Sequence, residues 1–378
     1  QLREQWTRPQ DIFSLLLIVG GDVVGRALAQ LSGGPITPVT FSFGWVGYGI
    51  SSLLMAAAGD NRLMPSSTDC SCLIINAKTG YARSNASWVL GRMMRDYEYW
   101  MHRQTTTVLD HVKEEALRKE KAPEASPVAA TTDSQQPVPK PRARVGLCVA
   151  VYEASPSQKA GKPKHDLIFY SGFATALLQL GIAAIPLRTD QDWNILLITV
   201  SGILLALATG GLPQWKKEKW ACRKRSKKDI MLTRGNGSQH VILIRGNGIG
   251  LDLEDLAAAQ LQGNIDATMD GKTRGVLVLL AVLWTLLLIT ATGENGNPWF
   301  LLGIGTVGLL QNVIVAGFRR RPEAIGIHLD FVEVIAEAKV MNALYELEER
   351  YEHAGVALRP IFFPGNLREY EMARWAEI

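Results

Sequence analysis

The stretch LIFYSGFATALLQLGIAAIPL, Leu167–Leu187, runs its whole length without a charged side chain. It is one of five such runs, the others being Leu31–Gly59, Trp193–Trp215, Gly275–Gly293 and Asn295–Phe318. About 20 apolar residues at 1.5 Å rise each cover the roughly 30 Å hydrocarbon core of a bilayer. A soluble chain seldom carries one run of this kind. Five of them point to a polytopic membrane protein.

Ile12–Leu31 (IFSLLLIVGGDVVGRALAQL) has the length of a sixth span but holds Asp22 and Arg26. Each charge costs about 2.5–3.5 kcal/mol at a helix centre on insertion scales. Spaced four apart, the two lie on one helical face and can neutralise each other, and Arg26 can snorkel toward an interface. The segment reads as a spanning helix, with a re-entrant or interfacial helix as the rival. Charges at membrane depth mark pathway or gating residues. The structural alternative for Asp22 and Arg26 is an ion pair that fixes helix register.

Charge distribution organises the rest. The loop after Gly59 carries 16 Lys and Arg before Asp166, and the loop after Trp215 opens with Lys216, Lys217, Lys219, Arg223, Lys224 and Arg225. The last run ends on Arg319, Arg320 and Arg321, whereas the links Ser32–Thr37, Arg188–Asp192 and Glu294–Pro298 hold one basic residue between them. With six spans all the basic loops fall on one side, which the positive-inside rule makes the cytosol, together with both termini.

The expected fold is therefore an α-helical polytopic membrane protein of about six spans with a small α/β cytosolic domain. Residues 1–58, 167–215 and 275–318 form three membrane hairpins. Residues 59–166 are a cytosolic loop with a hairpin, a helix from Ser87 to about Glu120 and a Pro/Ala/Ser-rich linker at 122–144, whose composition reads as disordered. Residues 216–274 are a basic loop with a β-hairpin, and 319–378 an amphipathic helical tail. That tail opens on Asp330 and Glu333, spaced as a capping box. All four cysteines fall on the expected cytosolic side, so free thiols are expected.

Chemistry is less legible. Arg-Gly-Asn-Gly recurs at 234–237 and 245–248. Gly235, Gly237, Gly246 and Gly248 allow either an anion nest clamped by Arg234 or Arg245, or plain hairpin turns. The run Lys216, Lys217, Lys219, Arg223, Lys224, Arg225 fits a collar for anionic headgroups as well as a simple topology signal. Gly303-x-Gly305-x-x-Gly308 copies a dinucleotide fingerprint but lies inside an apolar run with no strand before it, so close helix packing is the better account. No cofactor or metal is implied: the histidines are scattered and Cys70-x-Cys72 is not a zinc knuckle. A net charge of +4 clustered at membrane exits gives no nucleic-acid signal.

Gly20-Gly-Asp-Val-Val24, Phe41-Ser-Phe-Gly-Trp45, Ser87-Trp-Val-Leu-Gly-Arg92, Leu212-Pro-Gln-Trp215, Leu232-Thr-Arg-Gly-Asn-Gly-Ser-Gln-His240 and Gly250-Leu-Asp-Leu-Glu-Asp-Leu-Ala257 together resemble a family of multi-pass membrane proteins of filamentous ascomycete fungi. The resemblance implies a fungal membrane protein and transfers no catalytic residues. The expected function is a non-enzymatic, homo-oligomeric pore or scaffold in a bilayer with anionic headgroups. The alternative is a membrane-anchored enzyme, or a lipid- or phosphate-binding protein that uses the Arg-Gly-Asn-Gly turns.

Overall fold

The computed structural model describes residues 10–57, 62–65, 68–121, 146–258, 269–293 and 298–378, so the linker expected at 122–144 lies outside the described residues. In chain order the elements are α1 (Gln10–Leu31), α2 (Gly44–Ala57), β1 (Leu73–Asn76), β2 (Ala82–Ser84), α3 (Trp88–Arg95), α4 (Tyr97–Trp100), α5 (Arg103–Lys121) and β3 (Leu147–Ala154). Next come α6 (Leu167–Thr189), α7 (Asn194–Gly210), α8 (Pro213–Lys219), β4 (Lys224–Ser226), β5 (Asp229–Thr233), β6 (His240–Arg245), β7 (Gly250–Leu251) and α9 (Leu253–Ala258). The chain closes with α10 (Gly271–Thr292), α11 (Pro298–Gly317), β8 (Leu329–Glu337), α12 (Val340–Arg350), α13 (Ala354–Phe362) and α14 (Glu369–Glu377).

The fold is mixed α/β, which corrects the expectation of about six spans. Among the described residues, α6, α10 and α11 are long and apolar enough to cross a membrane. A fourth crossing arises only if α7 and α8, bent by 41° at Gly211-Leu212, count as one. The uncharged run at 31–59 is not a span: residues 32–43 are not helical, and the helix that follows has 14 residues. Gly33, Gly34, Pro35 and Pro38 explain this, because proline lacks the amide a helix needs and glycine loses the most entropy on becoming helical. Hydropathy is blind to both effects.

Six strands form one sheet in the order β2-β1-β5-β6-β3-β8, antiparallel except for the parallel pair β6–β3. Successive side chains of a strand point to opposite faces, and both faces are buried. Ile75, Val149, Val151, Met231, Leu243 and Ile335 pack under α12 and α13, against Leu344, Leu347, Leu358 and Phe362. The opposite face, with Ile74, Ala150, Ile230, Leu232, Ile242 and Ile244, joins Trp88, Leu90, Met93, Leu253 and Leu256 in a core continuous with the helical bundle. The tail is thus a strand followed by three helices, not one amphipathic helix. β-Branched Val332, Val334 and Ile335 favour the pleated form. Glu333 caps nothing; it accepts hydrogen bonds from Arg350 and, at 2.7 Å, from the Tyr351 hydroxyl. The single helix expected from Ser87 is broken into α3, α4 and α5.

In the bundle the non-helical segment after α1 runs inward between the long helices. The Thr37 hydroxyl donates to Gly210 O at 2.8 Å, and Gln179 Nε2 donates to Phe41 O at 2.7 Å and Ile304 O at 2.9 Å. Asn312 accepts from the Thr40 amide at 3.2 Å and hydroxyl at 2.9 Å, and donates to Thr40 O at 3.1 Å. Trp45 and Trp284 stack at 5.3 Å beside Phe41. The chain then reverses at Gly44, where a Cβ would collide with the backbone of Gly20. It returns as α2, with Tyr48 stacked on Trp215 and with Leu63 and Met64 amides bound by the Glu218 carboxylate. Entry and exit share one end of the bundle.

Candidate functional site

The end of the bundle that meets the sheet is a seam of buried charge. Helices leave their last carbonyls without intrahelical partners, and here cationic side chains take them. Lys219, 1 % exposed, donates from Nζ to Ala29 O at 2.8 Å, Gln30 O at 3.2 Å and Ser32 O at 2.7 Å, which closes the C-terminus of α1. Arg320 donates to Gln30 O at 2.7 Å and forks onto both oxygens of Asp166 at 2.7 and 2.8 Å. Arg92 donates to Ala316 O at 3.0 Å and Phe318 O at 2.6 Å at the end of α11, and pairs with Asp69 and Asp96. Burial lowers the pKa of Arg92, and Asp69 and Asp96 oppose that shift. These cations also sit at the negative ends of helix dipoles.

Trp220 pins the seam from the side. Its ring lies in a slot floored by Gly33, Gly161 and Gly326, all at positive φ, and its Nε1 donates to Ile325 O at 3.1 Å. A side chain at Gly33 or Gly326 would strike the indole. Glycine is required at both.

Beside this slot opens a cavity of about 490 Å³ lined by Gly33, Gly34, Pro35, Trp215, Lys159, Lys162, His165, Lys216 and Lys224. It lies where α6 begins, α7 ends and the non-helical segment enters. Four lysines and no carboxylate line it. All four are exposed, and none forms an ion pair among the described residues, unlike Lys164, which pairs with Glu323, and Lys217, which pairs with Asp270. Unpaired cations over an apolar floor of Trp215, Leu212 and proline suit an anionic group that carries hydrocarbon.

The residues singled out from sequence scatter around this site. Lys216 and Lys224 line the cavity, Lys217 is paired, and Lys219 leaves the collar altogether because the α1 carbonyls hold it inside. Arg223 is taken by Asp255 and Asp252, and Arg225 is exposed at φ 62. Asp22 and Arg26 do pair, at 2.8 Å, with side chains 73 % and 44 % exposed, and Arg26 also reaches to 3.6 Å of Asp69. The two Arg-Gly-Asn-Gly turns do not converge, since they lie at opposite ends of β6. The second turn spends its amides on backbone carbonyls: Gly246 N donates to Lys228 O, Gly248 N to Ser226 O and Gly250 N to Gly246 O. Arg245 there lies 3.9 Å from Asp229, and Asn247 is bound to Glu153, so that turn is unsuited to an anion.

Sequence reasoning missed Lys159, Lys162 and His165. The signal was present as Lys-Ala-Gly-Lys-Pro-Lys-His at 159–165, a basic run just before an apolar one. No family model matches this chain, and no curated protein or solved structure is similar to it.

Proposed function

We propose that this is a multi-pass integral membrane protein that binds an anionic lipid headgroup at the seam between its bundle and its sheet domain. In this reading α6, α7 with α8, α10 and α11 cross the bilayer and the segment at 32–57 re-enters it. Leu177, Leu197, Leu204, Leu279, Leu286 and Ile314 face outward from those helices, an apolar surface that lipid tolerates and water does not. The supporting observation is the basic cavity at the helix ends, the level at which phosphate headgroups lie. The lysines hold the phosphate while Trp215 and the glycine-proline floor face the glycerol and upper acyl chain. A pore through a single chain is disfavoured, because Phe41, Trp45 and Trp284 fill the bundle interior.

The test is native mass spectrometry of the protein released from mixed-lipid nanodiscs. Phosphatidylserine or phosphatidylinositol should remain bound in preference to phosphatidylcholine. Changing Lys159, Lys162, Lys216 and Lys224 together to Gln should remove that preference without lowering Tm. A wild-type protein that retains neutral and anionic lipids equally would overturn the reading.

A further inference from the structure

The sheet domain holds a second, separate cavity. It measures about 790 Å³ and lies at the end of the β5–β6 hairpin, next to α3 and α4 on one side and α12 and α13 on the other. The ladder pairs Thr233 with Val241, so Arg234 and His240 face each other across the mouth of the hairpin. Both line the cavity together with Asn236, Gly237, Tyr97 and Glu98.

Three donor groups there are unspent among the described residues. The Arg234 guanidinium has no carboxylate or hydrogen-bond partner among the described residues. In the turn, Gly235 N donates to the Thr233 hydroxyl and Ser238 N to Gly235 O, which leaves the amides of Asn236 and Gly237 unbonded. Gly235 and Gly237 stand at φ 92 and 87, conformations that turn successive amides toward one side. His240 Nδ1 is a buried atom without a hydrogen-bond partner, held by the ring of Tyr97 at 5.3 Å. The imidazole walls the cavity mouth beside Arg234, while Nδ1 itself stays covered.

We propose that this cavity binds a phosphate monoester. Arg234 and the Asn236 and Gly237 amides donate to the phosphate oxygens, and the His240 ring walls the site. Glu98 is the one carboxylate in the lining. It accepts a hydroxyl of the ester's organic part and disfavours a second phosphate beside the first. Charge-assisted bonds of the guanidinium make Arg234 the main determinant of affinity. The ester has two sources, a soluble polyol phosphate or the phosphorylated headgroup of a lipid.

Phosphate-31 NMR line broadening and isothermal titration on the full chain in phosphatidylcholine nanodiscs test this, with inorganic phosphate and glycerol 1-phosphate as probes. Both probes should bind, and Arg234→Gln should weaken them by roughly tenfold or more. His240→Gln should weaken them less, because the imidazole walls the cavity without donating to the phosphate. The quadruple lysine variant described above should bind them as wild type does, which separates this site from the headgroup cavity. If nanodiscs carrying phosphatidylinositol phosphate block the soluble probes, and do so in the lysine variant too, the ester comes from lipid. If they do not, it is soluble. Equal affinity in Arg234→Gln, or no binding by wild type, overturns the proposal. Near-ultraviolet circular dichroism of each variant guards against misfolding, to which Arg234 is little exposed because its side chain is on the surface.

Discussion

Asn312→Leu is the sharpest test of the re-entrant segment. The change keeps the branched heavy-atom skeleton of the side chain and makes the helix more apolar, so a simple membrane helix should tolerate it. In this fold Asn312 holds the Thr40 amide at 3.2 Å, the Thr40 hydroxyl at 2.9 Å, Thr40 O at 3.1 Å and the Ser42 hydroxyl at 3.3 Å. Two of these groups keep another partner. The Thr40 hydroxyl still donates to Gly308 O, and Thr40 O still accepts from Trp45 Nε1 at 2.8 Å. The Thr40 amide is orphaned. An unsatisfied buried donor costs about 1–3 kcal/mol, and the other lost bonds add some of their net value, so the total is about 2–4 kcal/mol. Backbone orphans are costlier where no water can reach them. The control is Gln311→Leu, one position along the same helix. Its Nε2 donates only to the Ser171 hydroxyl at 2.6 Å, and that hydroxyl can turn back to its own helix, where it already donates to Ile168 O. The control should cost about 0.5–1.5 kcal/mol. Thermal unfolding in mild detergent should therefore place Asn312→Leu several degrees below Gln311→Leu. Hydrogen exchange should show the Thr40 amide losing protection. Equal Tm values for the two variants would mean that the backbone at 37–43 is not held as described.

Further outcomes follow from other positions. Gly308→Ala should abolish folding or expression, because a Cβ there collides with Phe41 O, whereas Gly303→Ala, with nothing within 4 Å, should be neutral; comparing expression and Tm of the pair checks this. Lys219→Met should cost about 3 kcal/mol by orphaning Ala29 O and Ser32 O, while Lys216→Met should leave Tm unchanged and weaken only anionic-lipid retention. Burial lowers the His240 pKa, Arg234 and Lys113 add to that shift and Glu98 opposes it. Neutral His240 thus contributes stability above its unfolded value of about 6.5, and that contribution is lost as pH falls through the lower folded value. Denaturation curves measured without phosphate should show the loss, and His240→Gln should flatten it.

Apolar runs were legible wherever the helix was the only competent answer. Leu167–Leu187, Gly275–Gly293 and Asn295–Phe318 each hold one long helix. The run at 31–59 has the same hydropathy and a different backbone, because what licenses an extended segment in the bundle lies far away in sequence, at Gln179 and Asn312. Both stand inside uncharged apolar runs, where hydropathy scarcely registers them. The glycines of α11 were legible as packing residues but not as to their partner. Gly305 and Gly308 admit the Phe43 ring and the Phe41 backbone rather than a neighbouring helix. β8 was misread because Phe331, Val334 and Ile335 fit a helical stripe and a half-buried edge strand alike, and a short β-branched run does not decide between them. Of the site, the basic collar gave Lys216 and Lys224 but could not separate them from Lys219. Burial of a lysine depends on which carbonyls are nearby, and those belong to α1, nearly two hundred residues earlier in the chain.

The seam explains why bundle and sheet behave as one body. A lone buried lysine or arginine is costly to desolvate, and Lys219, Arg320 and Arg92 avoid that cost only where helix ends supply carbonyls. The end of α11 is satisfied only when the sheet side delivers Arg92 from α3, held by Asp69 and Asp96, whereas Lys219 ends α8 and Arg320 follows α11. The re-entrant segment is part of the same arrangement, because Ser32 O at its start is the third acceptor of Lys219 and Gly33 holds the Trp220 slot. Gly33, Gly34 and Pro35 also floor the basic cavity. The residues that set where the extended segment enters the bundle are therefore the same residues that floor the basic cavity.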